Sequence, residues 1–265
     1  GNDVILGEDG DDNLNGGAGG ADSINGGDGN DTITAAGGND TIDGGAGANQ
    51  ITKTGAGSDQ ITVGDGANTI TTADGNDTIT AGDGVNTIVT GNGNSQITAG
   101  DGGDSVTAGT GNDVIVLGDG ANHVAAGAGA NVIITGLGAD TITAGSGADS
   151  ITSGAGDDSI SAGGGADTID AGAGNDTVAL TGSGFIVGGD GDDTISGATG
   201  TSTIDGGAGN DSISSGAGSD TITLGDGANH LPDNGGPNPI TGGSGVDPGS
   251  ITGSTGYHIN LGDGD

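Results

Sequence analysis

Gly145-Ser-Gly-Ala-Asp-Ser-Ile-Thr-Ser153 is followed without a gap by Gly154-Ala-Gly-Asp-Asp-Ser-Ile-Ser-Ala162 and by Gly163-Gly-Gly-Ala-Asp-Thr-Ile-Asp-Ala171. The shared unit is Gly-x-Gly-x-Asp-x-aliphatic-x-x. Outward from this stretch, the aliphatic recurs every nine residues from Ile61 through Ile70, Ile79, Ile88, Ile97, Val106, Ile115, Val124, Ile133, Ile142, Ile151, Ile160 and Ile169 to Val178. Ile5, Leu14, Ile24, Ile33, Ile42 and Ile51 come before, with ten-residue steps into Ile24 and Ile61. An eight-residue step leads to Ile186, after which nines resume through Ile195, Ile204, Ile213, Ile222, Leu231 and Ile240. These slips predict local bulges or loosened loops. A fixed short period marks stacked repeats, each too small to bury its own core.

Neighbouring side chains in a strand face opposite ways, so in Thr141-Ile142-Thr143 the aliphatic points inward and both threonines outward. One period is therefore a Gly/Asp loop and a short strand. Two periods make a coil with one strand in each of two stacked parallel sheets. The expected fold is all-β, a parallel β-roll or β-solenoid of about fourteen coils around a single-file aliphatic core. It spans residues 1–231. Residues 232–265 read as degenerate repeats, with a Pro-rich insertion holding Pro232, Pro237, Pro239 and Pro248 that acts as a partial cap, a lateral loop or a subunit-contact segment.

Of 265 residues, 68 are Gly, 37 are acidic, one is basic (Lys53), and none is Cys, Met or Trp, giving a formal net charge of -36. So few large apolar side chains exclude the thick core of a compact α/β enzyme. The charge repels nucleic acid and anionic lipid, which leaves polyvalent cations as the natural counterpart. Without Cys there are no disulfides, zinc-thiolate sites or thiol redox chemistry. No apolar run reaches the length of a membrane helix, and no basic segment precedes an apolar one at the start. There is no Ser/His/Asp constellation, no phosphate loop with Lys and no Arg. His123, His230 and His258 are scattered, and Lys53 reads as an isolated exposed position. No enzymatic activity is expected of this chain.

The unit resembles the RTX nonapeptide Gly-Gly-x-Gly-x-Asp-x-aliphatic-x, with the first Gly often replaced, as at Thr135, Ala144 and Ala171. That resemblance implies a calcium-loaded parallel β-roll whose ions sit between successive turns of one edge, held by motif Asp side chains and loop carbonyls. The matching positions are Asp3, Asp12, Asp22, Asp31, Asp40, Asp59, Asp77, Asp104, Asp113, Asp140, Asp149, Asp158, Asp167, Asp176, Asp193, Asp211 and Asp220. Asn stands there at Asn49, Asn68, Asn86, Asn122, Asn131, Asn229 and Asn238, keeping a carbonyl oxygen without the charge, so those sites should be weaker or differently built. Ser95, Gly184 and Ser202 break the position. Burying one aliphatic per nine residues returns less than ordering those nine backbones costs, so metal-binding energy is expected to become folding energy.

One edge carries a second acid in the loop: Asp9, Asp28, Asp65, Asp83, Asp101, Asp119, Asp190 and Asp226. This row reads either as a further set of calcium positions able to bridge to a neighbouring molecule or as a solvated charged rim. Val114, Val116, Val132 and Ile134 flank inward aliphatics and should form an outward apolar patch, which reads either as a lateral contact or as an ordinary β-branched strand surface. The chain starts inside one loop, at Gly1-Asn2-Asp3, and stops inside another, at Gly262-Asp263-Gly264-Asp265. Either it is excised from a longer chain or it polymerises head to tail. The functional expectation is a calcium-dependent extracellular structural protein, a self-associating subunit of a cell-surface or secreted filament. The alternative is a calcium-binding segment of a larger secreted adhesin, S-layer protein or hydrolase; third comes an ice-binding solenoid, disfavoured by Gln50, Gln60, Val89 and Gln96 among the threonines.

Overall fold

The computed structural model describes residues 1–232, 238–245 and 258–260, the last three as backbone. Every regular element among them is a β-strand. The chain divides into two compact units, Gly1–Val132 and Ile133–Asp265.

In the first unit the strands alternate strictly between two parallel sheets. One sheet holds Val4–Leu6, Ser23–Asn25, Thr41–Asp43, Gln60–Val63, Thr78–Ala81, Gln96–Ala99 and Val114–Leu117; the other holds Asn13–Ala18, Thr32–Ala36, Gln50–Thr54, Thr69–Thr71, Thr87–Val89, Ser105–Thr107 and His123–Ala125. Aliphatic faces aliphatic at every step, as in Ile42↔Ile61, Ile61↔Ile79 and Ile79↔Ile97. The second unit repeats the plan: Ser150–Thr152, Ala166–Ala173, Ser183–Asp190, Thr203–Ala208 and Thr221–Thr223 stack in one sheet, Thr141–Thr143, Ser159–Gly163, Thr177–Leu180, Thr194–Ser196 and Ser212–Ser214 in the other. The expected β-solenoid is present in both. The described residues hold 27 strands, which at two to a coil make about 13 coils.

Two of the predicted slips are register shifts, between Asn15 and Ala18 and between Ser161 and Gly163. The Pro-rich interruption lies largely outside the described residues, as does the C-terminal Gly262–Asp265 loop. Within that region Pro239–Thr241 and His258–Asn260 continue one sheet, pairing Ile222↔Ile240 and Ile240↔Ile259.

The core is wider than a single file. Strand parity puts the residue two before each aliphatic and the residue two after it on the same inward face. Val63, Ala81, Ala99 and Leu117 thus form a second buried column beside the aliphatics of one sheet, and Ala35, Ala144, Leu180 and Leu224 are buried at the same inward position elsewhere. The residue two before is the motif Asp itself. On the outside, one column runs Thr41, Gln60, Thr78, Gln96, Val114, so glutamine and valine interrupt the threonines of an ice-matching array. Val114, Val132 and Ile134 are exposed as expected, and Val116 is half-buried.

Loop glycines are set by close stacking. Gly189 has φ +113°, and a methyl there would strike the carbonyl oxygen of Gly172 in the coil before it. Among the described residues Glu8 is the one non-glycine at positive φ, +75°, and it stands where the motif has its second Gly.

Candidate metal centres

Of the 17 Asp residues picked out by the motif, 15 are buried; Asp12 is half-buried and Asp3 exposed. Most of them stack, the carboxylate accepting from the backbone N–H of the equivalent residue in the coil before. The backbone N–H of Asp158 donates to Asp176 Oδ1 at 2.8 Å, that of Asp176 to Asp193 Oδ1 at 2.8 Å, and that of Asp193 to Asp211 Oδ1 at 3.0 Å. The other edge does the same, as in Asp22 to Asp40 and Asp40 to Asp59, both 2.8 Å.

Stacking uses only one oxygen of each carboxylate. The second, Oδ2, is buried without a hydrogen-bond partner in Asp22, Asp31, Asp104, Asp113, Asp167, Asp176, Asp193, Asp211 and Asp220. A desolvated carboxylate oxygen with no donor is among the costliest groups a fold can carry. Burial raises the carboxyls of Asp104, Asp113, Asp158, Asp167 and Asp211 above the usual range. Asp176 is pushed up to about 7 and Asp193 to about 6, mainly by burial, against a lowering hydrogen bond from the coil before and with a further push from neighbouring carboxylates.

Backbone carbonyls converge on the same oxygens. A methyl placed on Gly206 would stand 2.5 Å from the Leu224 carbonyl oxygen and 2.6 Å from Asp211 Oδ2. On Gly26 and Gly188 it would strike the equivalent pairs, Asp31 Oδ2 with the Gly44 carbonyl and Asp193 Oδ2 with the Gly206 carbonyl. Among the described residues no three His, Cys, Asp or Glu side chains gather at one point. A cation at these turns must therefore draw on carbonyls as well as carboxylates, an all-oxygen set suited to a hard ion such as calcium. The residues fit the ion that the motif implies.

The Asn turns are built differently. Asn68 Nδ2 donates to the carbonyls of Gly64 (3.0 Å) and Gly66 (3.2 Å), Asn86 Nδ2 to Gly82 (3.1 Å) and Gly84 (3.0 Å), and Asn122 Nδ2 to Gly118 (3.2 Å) and Gly120 (3.1 Å). The amide serves loop carbonyls of its own turn, where a charged Asp has nothing to donate. The large inward residues Val63, Leu117 and Leu224 each stand five positions before an Asn, at Asn68, Asn122 and Asn229; Leu180 stands before Gly184.

Lys53 corrects the sequence reading most sharply. Expected on the surface, it is 1% exposed and lies two residues after Ile51 on the inward face, opposite Ala35. Its ammonium is 3.5 Å from Asp40 Oδ2 and 3.3 Å from Asp59 Oδ2. The second acidic row, Asp9, Asp28, Asp65, Asp83, Asp101, Asp119, Asp190 and Asp226, is exposed throughout. Its members stack through Asp83 N–H to Asp65 Oδ1 and Asp101 N–H to Asp83 Oδ1, both 3.0 Å. A further outer ladder escaped the sequence reading: Asn112 N–H donates to Asn94 Oδ1 and Asn210 N–H to Asp192 Oδ1, both 2.7 Å. Its signal was the Asn or Asp that often precedes the motif residue.

These features define a parallel β-roll with carboxylate and carbonyl oxygens stacked along its edges, a fold of the calcium-binding class. The family model for the RTX calcium-binding nonapeptide repeat matches residues 1–20, 17–51, 54–88, 80–115, 116–151, 143–178, 180–201, 187–222 and 196–231, and the chain belongs to that family. None of the curated proteins matches it.

Proposed function

We propose that the chain is an extracellular structural module that folds on binding calcium, with motif Asp residues such as Asp176, Asp193 and Asp211 supplying carboxylate ligands and the facing loop carbonyls supplying the rest. The observation that carries this reading is the run of buried Oδ2 atoms without donors, Asp176, Asp193 and Asp211 in succession along one edge. Calcium ions would turn that repulsion into cohesion, and binding energy becomes folding energy. Outside modules typically bind calcium at about 10⁻⁴ to 10⁻³ M, so the coils whose carboxylates lack a partner stay unfolded at cytosolic calcium and fold after export. It supplies scaffold rather than catalysis.

Self-association into a filament is the finer part of the proposal. The exposed Val114 and Val132 of the first unit support it, as do Ile134 of the second and the exposed acidic row, which offers cation bridges to a neighbour. Far-UV circular dichroism during a calcium titration tests the folding role: a β signal that rises cooperatively with calcium is expected, and a spectrum indifferent to calcium would sink it. Negative-stain microscopy of the calcium-loaded protein tests the filament, which monomeric particles at millimolar calcium would exclude.

A further inference from the structure

Lys53 is the single basic residue among 37 acids, and it is buried. Its Nζ lies between the Oδ2 atoms of two successive motif residues on one edge, Asp40 at 3.5 Å and Asp59 at 3.3 Å, and donates to the Gly55 carbonyl at 3.4 Å. Two stacked carboxylates and a loop carbonyl are the donor set that calcium would take at the Asp turns. Here the chain brings its own cation. The ten-residue step into Ile61 gives this turn one residue more than the standard repeat.

The turns around it are also satisfied from within. On the same edge, Thr72 Oγ1 donates to Asp77 Oδ2 at 2.6 Å. On the opposite edge Asn49, Asn68 and Asn86 each donate an amide to carbonyls of their own loops. From Asp40 to Asn86, every motif carboxylate or amide meets a partner from the protein itself. Asp176, Asp193 and Asp211 in the second unit have no such partner on Oδ2.

We propose that Lys53 is a built-in substitute for calcium between Asp40 and Asp59, and that with it the stretch from Asp40 to Asn86 keeps its fold without metal and nucleates the coils that need calcium. This rests on the calcium reading of the Asp turns. A tethered ammonium is present at a fixed effective concentration whatever the calcium level, and removing it leaves two buried carboxylates facing each other.

Hydrogen exchange on the full chain, with and without calcium, tests the proposal. The amides to follow are Gln60 and Thr78, which donate to the Asp40 and Asp59 carbonyls, against Thr194 and Ser212, which donate to those of Asp176 and Asp193. In calcium-free buffer Gln60 and Thr78 are expected to stay protected while Thr194 and Ser212 exchange. Lys53→Met should cut protection at Gln60 at least about tenfold in that buffer, the loss of a buried ion-pair partner, while Lys53→Arg keeps it. With calcium, Lys53→Met should regain protection and, by equilibrium dialysis, bind one ion more than the parent. Equal exchange at the two pairs of amides in the calcium-free parent, or K53M matching the parent in both protection and ion count, would overturn the proposal. Failure of the calcium reading looks different: the parent would bind no calcium at all, and the K53M comparison in calcium-free buffer would still decide the role of the ammonium.

Discussion

At the scale of the residue, Asp and Asn in one position do opposite things. Asp176 offers Oδ1 to the N–H of the coil before it and leaves Oδ2 bare, whereas Asn68 turns its second group into a donor for Gly64 and Gly66. Exchanging them should cost hydrogen bonds in one direction and relieve a bare carboxylate oxygen in the other. Asn68→Asp loses three amide hydrogen bonds, to the Gly64 and Gly66 carbonyls and to Asn86 Oδ1, worth about 0.5–1.5 kcal/mol each, so urea melts without calcium should show a loss of about 1.5–4.5 kcal/mol. Calcium should restore little of it, since Val63 already fills the inward position of that turn. Asp176→Asn should stabilise the calcium-free protein and lower its calcium stoichiometry; a stoichiometry unchanged from the parent would remove Asp176 from the ligand set. Glu8 offers a prediction independent of metal. Its φ of +75° places a Cβ in the left-handed region, at a cost of about 1–2 kcal/mol. Glu8→Gly should recover about 1 kcal/mol in thermal or urea melts, and a destabilised variant would show that the Glu8 side chain contributes more than its backbone costs.

At the scale of the element, the strand and the turn edge behave as columns. Any inward Ile→Ala change, such as Ile160→Ala, opens a cavity between coils and should cost about 2–5 kcal/mol in a calcium-loaded urea melt; a loss below 1 kcal/mol would mean that the column can collapse onto the gap. The edge column of Asp158, Asp176, Asp193 and Asp211 has a pH signature. Burial raises all four, Asp176 to about 7 and Asp193 to about 6. A carboxyl raised in the folded state binds protons more tightly there than in the unfolded chain. Its contribution to calcium-free stability is then greatest below the unfolded value of about 4 and is lost as pH rises through 6 to 7. Calcium-free protein should therefore gain β signal on acidification from about pH 7 to pH 4, and calcium affinity should weaken over the same window as protons compete. Stability that rises with pH in calcium-free buffer would contradict the burial of these groups. Much of this column was legible in the sequence. The nine-residue ruler placed the strands as far as Ile240, and the motif placed the buried stacked Asp residues, though not the outer ladder through Asp192. Parity also held more than was taken from it, because Asp22, Ile24 and Gly26 share a face by the same rule that turns Lys53 inward two residues after Ile51. What the sequence withholds is which oxygen of each carboxylate the stacking uses, since that depends on contacts between coils 18 or 19 residues apart.

At the scale of the whole molecule, the net charge of -36 divides into two populations with different physics. Asp65, Asp83, Asp101 and Asp119 are exposed, so their mutual repulsion passes through water and is screened by salt. Asp176, Asp193 and Asp211 are buried and beyond the reach of a mobile ionic atmosphere. If unfolding without calcium came from general self-repulsion, any electrolyte would relieve it. If it comes from buried oxygens without donors, only an ion that enters the turns will do. In calcium-free buffer, about 1 M sodium chloride shortens the Debye length to about 3 Å and silences the exposed row. It should nonetheless leave the Thr194 and Ser212 amides in free exchange, while millimolar calcium at low salt protects them. The exposed row should answer in the opposite sense: the same salt should weaken any association between folded molecules that depends on cation bridging along Asp65–Asp119. Full protection of Thr194 and Ser212 by sodium chloride alone would show that diffuse charge, not the buried carboxylates, sets the calcium requirement of this fold.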